Sequence, residues 1–281
     1  MLRIAVPNKG ALAEPARGIL REAGYLAGAN VRDLVVTDEA NGVEFFFLRP
    51  RDIAIYVGSG TLDLGITGLD MLLDSRASAK EVMRLGFAPS TFRLAVPAGA
   101  AHEVADLSGG RIATSYPGLL DDYLARSQVE ATVVRLDGAV ENAVRLGVAD
   151  AVADVVATGG TLRQAGLETI GDPLLVSEAL LIRRASVGQE GEVATFVRRV
   201  QGVIAARTYV IVDYDIPAAL VAAACQITPG IESPTVSPLA DARWSAVRAM
   251  VAREKVHHVM DELYELGARG IIVTDIHACR L

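Results

Sequence analysis

The sequence predicts an α/β protein, in which a two-lobed core is followed by a compact βαββαβ module. Three observations carry this prediction. Short apolar runs alternate with segments of helical spacing over 1–208. Strings near the start of the chain recur further on, as expected of two similar lobes. From Tyr209 the pattern changes to strand, helix, strand, strand, helix, strand, the ferredoxin-like order.

The elements follow in order. Leu2-Arg3-Ile4-Ala5-Val6-Pro7 is a short buried strand and Asn8-Lys9-Gly10 the loop after it. Ala11 to Ala23 has helical spacing and stops at Gly24. Val43 to Leu48 is a second strand, and Arg49-Pro50-Arg51-Asp52 places proline at a helix start between two cations. Leu64 to Gly68 is the next strand. Phe92 to Gly99 echoes Leu2 to Lys9, and Gly147 to Asp154 echoes Gly60 to Thr67. Facing lobes would enclose a cleft at the carboxyl ends of their strands, lined by the loops at Lys9, Gly68, Ser115-Tyr116 and 154–161. Ala139 to Leu146 reads as a helix, Glu178 to Ile182 as a strand and Glu192 to Ala206 as a long helix packing back on the first lobe. The boundaries expected are 1–90 with 178–208 for the first lobe, 91–177 for the second, and 209–281 for the C-terminal domain. Within that last domain Tyr209 to Tyr214, Thr235 to Leu239, Trp244 to Val251 and Gly270 to Ile276 are strands; Pro217 to Cys225 and Lys255 to Leu266 are helices.

Composition bounds the class of function. A chain of 281 residues, 51% of them hydrophobic, can bury several cores. Its only cysteines, Cys225 and Cys279, lie far apart, which argues for a reducing compartment. Leu2 to Val6 is too short for a secretory leader, and Ile216 to Ile227 too short for a membrane span. The expectation is a cytoplasmic protein. A net charge of -7 and a pI near 5.2 disfavour a general nucleic-acid surface. His102, His257, His258 and His277 show no ligand spacing with the cysteines, so a zinc site is disfavoured.

The most informative stretch is 154–162. An apolar strand delivers Asp154 and then Thr158-Gly159-Gly160-Thr161, a turn whose backbone N–H groups can surround one anion, ahead of a helix. A carboxylate beside such a cradle suits the vicinal hydroxyls of a ribose, so the pair suggests a ribose 5-phosphate site. The alternative on these residues alone is a plain strand-to-helix turn.

More motifs join it. Val6-Pro7-Asn8-Lys9-Gly10, Phe47-Leu48-Arg49-Pro50-Arg51-Asp52-Ile53, Asp63-Leu64-Gly65-Ile66-Thr67-Gly68, Asp150 to Val156 with Thr158-Gly159-Gly160-Thr161-Leu162, and Leu266-Gly267-Ala268 with Thr274-Asp275-Ile276 together resemble the ATP phosphoribosyltransferases. The likeness is to the long form with a C-terminal histidine-binding regulatory domain, and it runs over the whole chain. It implies a two-lobed, periplasmic-binding-protein-like catalytic core and the first step of histidine biosynthesis. N1 of ATP attacks the anomeric carbon of phosphoribosyl pyrophosphate (PRPP) and releases pyrophosphate, with Mg²⁺ and with feedback by L-histidine. AMP as a further ligand and a homo-oligomer, dimer or hexamer, are implied as well.

Site roles follow from that resemblance and from charge. Val155, Val156, Ala157, Thr158, Gly159, Gly160, Thr161 and Leu162 form the PRPP loop, with Asp154 on the ribose hydroxyls. Glu141 assists Asp154 or touches Mg²⁺, itself held largely by substrate phosphates. Lys9, Arg49 and Arg51 neutralise the pyrophosphate and the ATP phosphates, although each has a plain reading as a surface charge. Asp70 and Tyr116 serve the adenine end, with core packing the competing role for Tyr116. Ala157 and Gly160 leave the loop without a basic side chain. Histidine is expected near Asp215, Thr235 and Gly270, and the competing role for Asp215 is a helix cap. Two other classes stay open on the residues alone, a non-catalytic two-lobed binding or sensor protein and a regulatory subunit. The missing export signal and the acid-plus-Gly-Gly loop weigh against the first, the intact cleft motifs against the second.

Overall fold

The computed structural model describes residues 1–26, 33–100, 103–156, 159–186, 188 and 190–280. The chain divides into two compact units: Met1–Gly18 with Tyr25–Gln189, and Ile19–Gly24 with Glu190–Leu281.

In the first unit the chain runs through β1 (Leu2–Pro7), α1 (Ala13–Glu22, its last turn in the second unit), β2 (Val35–Asp38), β3 (Val43–Leu48), α2 (Pro50–Gly58), β4 (Leu64–Gly68), α3 (Leu69–Ser75) and β5 (Ala79–Arg84). It continues with β6 (Ser90–Pro97), β7 (Arg111–Thr114), α4 (Pro117–Ser127), β8 (Thr132–Arg135), β9 (Ala151–Val156), α5 (Gly160–Gln164), β10 (Leu167–Ser177) and β11 (Ala179–Arg184). These strands form two sheets, ordered β2-β3-β1-β4-β11-β5 and β10-β6-β9-β7-β8. Each belongs to one lobe.

The lobes share a topology. In the first, β1 is parallel to β3 and β4, while β11 is antiparallel to β4 and β5. In the second, β7 is parallel to β8 and β9, while β6 is antiparallel to β9 and β10. Thus β3-β1-β4-β11-β5 corresponds to β8-β7-β9-β6-β10. The sequence echo of Gly60 to Thr67 in Gly147 to Asp154 is therefore structural, because β4 and β9 are counterparts. The echo of Leu2 to Lys9 in Phe92 to Gly99 is not. The counterpart of β1 is β7, and β6 runs antiparallel in the place of β11. An Ala-Val-Pro strand end says nothing about strand direction, which is decided by the crossover between lobes.

Alternation along β9 explains why its sequence is apolar throughout. Ala151 and Ala153 join Leu94, Ile112, Leu120 and Tyr116 on one face of the second sheet, and Val152 joins Ala95, Ala113, Val140, Leu162 and Leu167 on the other. In the first lobe Ala5, Ile53, Ala54, Val57, Leu180 and Ile182 form a buried cluster under α2. Burying each such branched side chain contributes roughly 1.5–3 kcal/mol.

The expected helix over Ala139 to Leu146 is not one. Val140–Asn142 form a single 3₁₀ turn entered through Ala139 in the left-handed region, followed by turns whose bonds reach back irregularly, from Leu146 to Asn142, Gly147 to Val144 and Val148 to Ala143. Val140 and Ala143 point inward, but Leu146 is 74% exposed, so no continuous apolar stripe holds an α-helix together.

The second unit contains α6 (Gly191–Thr208), β12 (Tyr209–Pro217), α7 (Val221–Ile227), β13 (Thr235–Pro238), β14 (Trp244–Ala252), α8 (Val256–Leu266) and β15 (Arg269–Asp275). Its sheet order is β13-β14-β12-β15, all antiparallel, which is the ferredoxin-like arrangement. Val210, Val212, Tyr214 and Ile216 alternate onto the helix-covered face with Val247, Val251 and Leu263. Two expectations change here. Pro217 ends β12 and precedes a 3₁₀ turn, Ala218–Leu220, so that the α-helix itself starts only at Val221, and Asp215 is a strand residue paired with Ala246 and Arg269, so it caps nothing. The nine-residue ladder to β14 claims that backbone. Among the described residues no helix is long and apolar enough to cross a membrane.

Candidate active site

The cleft of the first unit is built from loops at the carboxyl ends of corresponding strands. After β1 comes the Lys9 loop, after β4 the start of α3, after β7 Tyr116, and after β9 the turn into α5. Lys9, Gly10, Pro50, Gly68, Asp70 and Tyr116 line one pocket, in which Val155 also takes part. Glu141, Asp154, Val155, Val156, Gly159, Gly160, Thr161 and Leu162 line a second. Val155 belongs to both, so the two pockets meet at the end of β9.

The turn after β9 has the backbone its glycines allow. Gly159 is left-handed at φ +73° and precedes the first residue of α5. This helix has five residues, so the local N–H groups matter more than a macrodipole worth ~0.3–1 kcal/mol in longer helices. Ala157 and Thr158 of the expected loop lie outside the described residues, as does His102. A basic side chain does stand at this turn: Arg163 brings its guanidinium over Gly159, where Nη1 lies 3.1 Å from the position of a β-carbon. Sequence reading missed it, although helical side chains lean over the preceding turn.

Asp154 is half-buried and its Oδ1 accepts from the Val155 N–H at 2.8 Å. Burial is the largest influence on its carboxyl and raises its pKa; the charge of Glu141 also raises it, and the Val155 N–H and Arg51 oppose. Glu141 therefore stands close enough to Asp154 to be felt electrostatically.

At the other pocket Asp70 is 4% exposed. Ser177 Oγ donates to Asp70 Oδ1 at 2.8 Å and accepts the Asp70 N–H at 3.1 Å. Burial raises the pKa of the Tyr116 phenol, and the charge of the nearby Asp70 carboxylate raises it further. Tyr116 takes the packing role weighed for it and also lines the pocket. Its ring packs on Phe92 in the core at 5.6 Å, while its edge lines the pocket. Arg51 covers the ring at 4.5 Å and pairs through Nη1 with Asp74 Oδ2 at 2.6 Å. Lys9 and Arg49 are exposed at the loops where the sequence puts them. Ser177 and Asp74 carried no sequence signal of their own, apart from Asp74 lying one helical turn beyond Asp70.

In the second unit Asp215 and Gly270 are neighbours, with Asp215 Oδ2 3.6 Å from where a β-carbon of Gly270 would sit. Thr235 is exposed on β13, in the row of Arg248 and Asp213, two strands from β12. It does not converge with the other two.

The pattern described as "ATP phosphoribosyltransferase" matches residues 49–202, and that described as "HisG, C-terminal domain" matches 206–278. The chain belongs to the ATP phosphoribosyltransferase family. It has the long form of that family, with the C-terminal domain, and is a pentosyltransferase of histidine biosynthesis. ATP phosphoribosyltransferases of Paenarthrobacter aurescens and Salinispora tropica are 60% and 57% identical to it, each alignment covering 100% of both chains. Among solved structures, the "ATP phosphoribosyl transferase (HisG:HisZ) complex from Thermotoga maritima" matches with a TM-score of 0.64 and 27% identity, over 73% of this chain and 98% of that one. Family membership decides against the non-catalytic binding protein and against a purely regulatory subunit.

Proposed function

We propose that the two pockets joined at Val155 hold the two substrates of one displacement, with ATP on the Asp70–Tyr116 side and PRPP on the Asp154–Leu162 side. N1 of ATP attacks the anomeric carbon of PRPP, the bond to the pyrophosphate oxygen breaks, and pyrophosphate leaves. The observation that supports this best is the shared wall: the ribose carboxylate and the adenine-end pair sit on the two sides of one strand end. Adenine N1 carries a lone pair at neutral pH, so no general base is required. Positioning and charge stabilisation supply the rate.

In this reading Asp154 accepts from the ribose hydroxyls, and the turn 157–161 receives the 5-phosphate. Lys9 and Arg49 face the pyrophosphate, and Arg51 lies towards the ATP phosphates, near enough to influence both Tyr116 and Asp154. The residues fit Mg²⁺. The described residues contain no group of three acidic, His or Cys side chains able to hold a metal alone, but Glu141 and Asp154 form a pair whose mutual repulsion a divalent cation would relieve. Those two carboxylates would hold it, and it would neutralise the departing pyrophosphate. The lobes proposed are 1–90 with β11 returning to the first and 91–177 for the second, while α6, expected against the first lobe, groups with the second unit. L-Histidine bound beside Asp215 and Gly270 would inhibit, AMP would occupy the ATP side, and the protein would act in the cytoplasm as a dimer or hexamer.

The test is release of pyrophosphate from ATP and PRPP with Mg²⁺, with and without L-histidine. Release suppressed by histidine supports both the cleft and the regulatory domain. Release that histidine leaves untouched removes the regulatory part, and no release sinks the assignment of substrates.

A further inference from the structure

Asp74 is an acid of α3 whose side chain is only 7% exposed, and the chemistry described so far gives it no task. Its two oxygens are divided between two elements. Oδ2 accepts from Arg51 Nη1 at 2.6 Å, while Oδ1 accepts from the N–H groups of Gly118 and Leu119 at 2.9 and 3.3 Å. Those amides are in the first turn of α4, which has no cap from its own side chains: Tyr116 stands at the cap position and makes no such bond. A residue of one lobe thus does for a helix of the other what an N-cap does locally. The contact is close, since a β-carbon at Gly118 would run into the Asp74 carbonyl oxygen. Asp70 and Asp74 are one turn apart and face the same way. The charge of Asp70 reaches the Tyr116 phenol, and Arg51, held by Asp74, covers the ring.

We propose that Asp74 is a positioning residue for ATP, holding Arg51 and the α4 start in register so that the Arg51–Tyr116 pair is set before the nucleotide arrives. This rests on the assignment of ATP to that pocket. Tyr116 is held at its face by Arg51 and at its backbone by α4, and Asp74 controls both. A purely structural tie between lobes would lower stability and weaken both substrates alike. A positioning role weakens ATP more than PRPP, because among the described residues Asp154 makes no hydrogen bond to α3 or α4 and feels Arg51 only through its charge.

The conservative variant Asp74→Asn keeps the shape and one acceptor for the α4 amides but cannot pair as an anion with Arg51. ATP alone is titrated calorimetrically into wild type, Asp74→Asn, Arg51→Met and the double variant, alongside KM for each substrate and Tm. The expected result is an ATP affinity about tenfold weaker in each single variant, a KM for PRPP within about threefold of wild type, and a double variant little worse than either single one. Equal losses for both substrates, fully additive losses, or unchanged ATP affinity would each overturn the proposal. Arg51→Met leaves the Asp74–α4 contact in place, so it reads the same coupling if Asp74→Asn folds poorly. Because ATP binding is measured without turnover, a wild type that binds ATP but releases no pyrophosphate would count against the reaction assigned above and leave this test standing.

Discussion

Ser177 Oγ, on the strand that leads back between the lobes, donates to the Asp70 carboxylate at 2.8 Å, and the charge of that carboxylate bears on the buried Tyr116 phenol of the other lobe. Three residues far apart in sequence thus set one edge of the nucleotide pocket. Tyr116→Phe keeps the ring against Phe92 and Arg51 and removes only the hydroxyl. The expected loss is about 1 kcal/mol of stability, seen as a fall of a few degrees in Tm, with roughly fivefold weaker ATP binding at that same value. Calorimetry with ATP reads the binding loss and thermal denaturation the stability loss, and a binding loss with unchanged stability would place the Tyr116 hydroxyl on the ligand.

Ser177→Ala is expected to destabilise more than Tyr116→Phe. It removes a donor to a carboxylate and also leaves the buried Asp70 N–H without its acceptor, a loss of about 1–3 kcal/mol. Chemical denaturation of the two variants side by side decides the order.

Asp154 should trade stability for function. Its folded pKa is raised, chiefly by burial, so the protein prefers it protonated. That contribution to stability is fully present below the unfolded value of about 3.9 and is lost as pH rises through the folded one. Asp154→Asn, which stays neutral, is therefore expected to raise Tm at pH 7.5 and to show no gain near pH 4, while pyrophosphate release falls at least ~100-fold through the lost charge at the oxocarbenium-like centre. Scanning calorimetry at both pH values checks the first part. A lower Tm at pH 7.5 would mean that Asp154 is stabilised by partners other than those seen.

Gly159→Ala tests the turn. A β-carbon there meets a left-handed backbone and the Arg163 guanidinium together, which costs about 1–2 kcal/mol from the backbone alone. The KM for PRPP is expected to rise at least tenfold, with ATP affinity unchanged. An unaltered KM for PRPP would show that the phosphate is received elsewhere.

In the second unit, Tyr214 and Thr228 are both buried and share a 2.7 Å hydrogen bond, while Thr228 also donates to the Ala224 carbonyl. Tyr214→Phe leaves Thr228 that second partner, so a loss of about 1 kcal/mol is expected. Denaturation monitored by the fluorescence of Trp244 on β14 reads it.

What the sequence determined by itself was local. Periods of two and 3.6 marked β3, β4, β14 and α8 nearly to the residue and the start of β12 but not its end, Gly159 marked the turn after β9, and the βαββαβ order of the C-terminal domain was legible in full. These features depend on neighbours within a few residues, and the sequence carries them directly. The tertiary structure alone decided the rest. It made β7 and not β6 the counterpart of β1, because strand direction is set by the crossover and not by composition. It kept Asp215 in a ladder with β14, and it left 140–146 without the stripe a helix needs. It also brought Asp74 to amides 44 residues away and Ser177 to a carboxylate 107 residues away. Such contacts arise only when two sheets close on each other, and a single polar side chain has no periodicity by which to announce its distant partner.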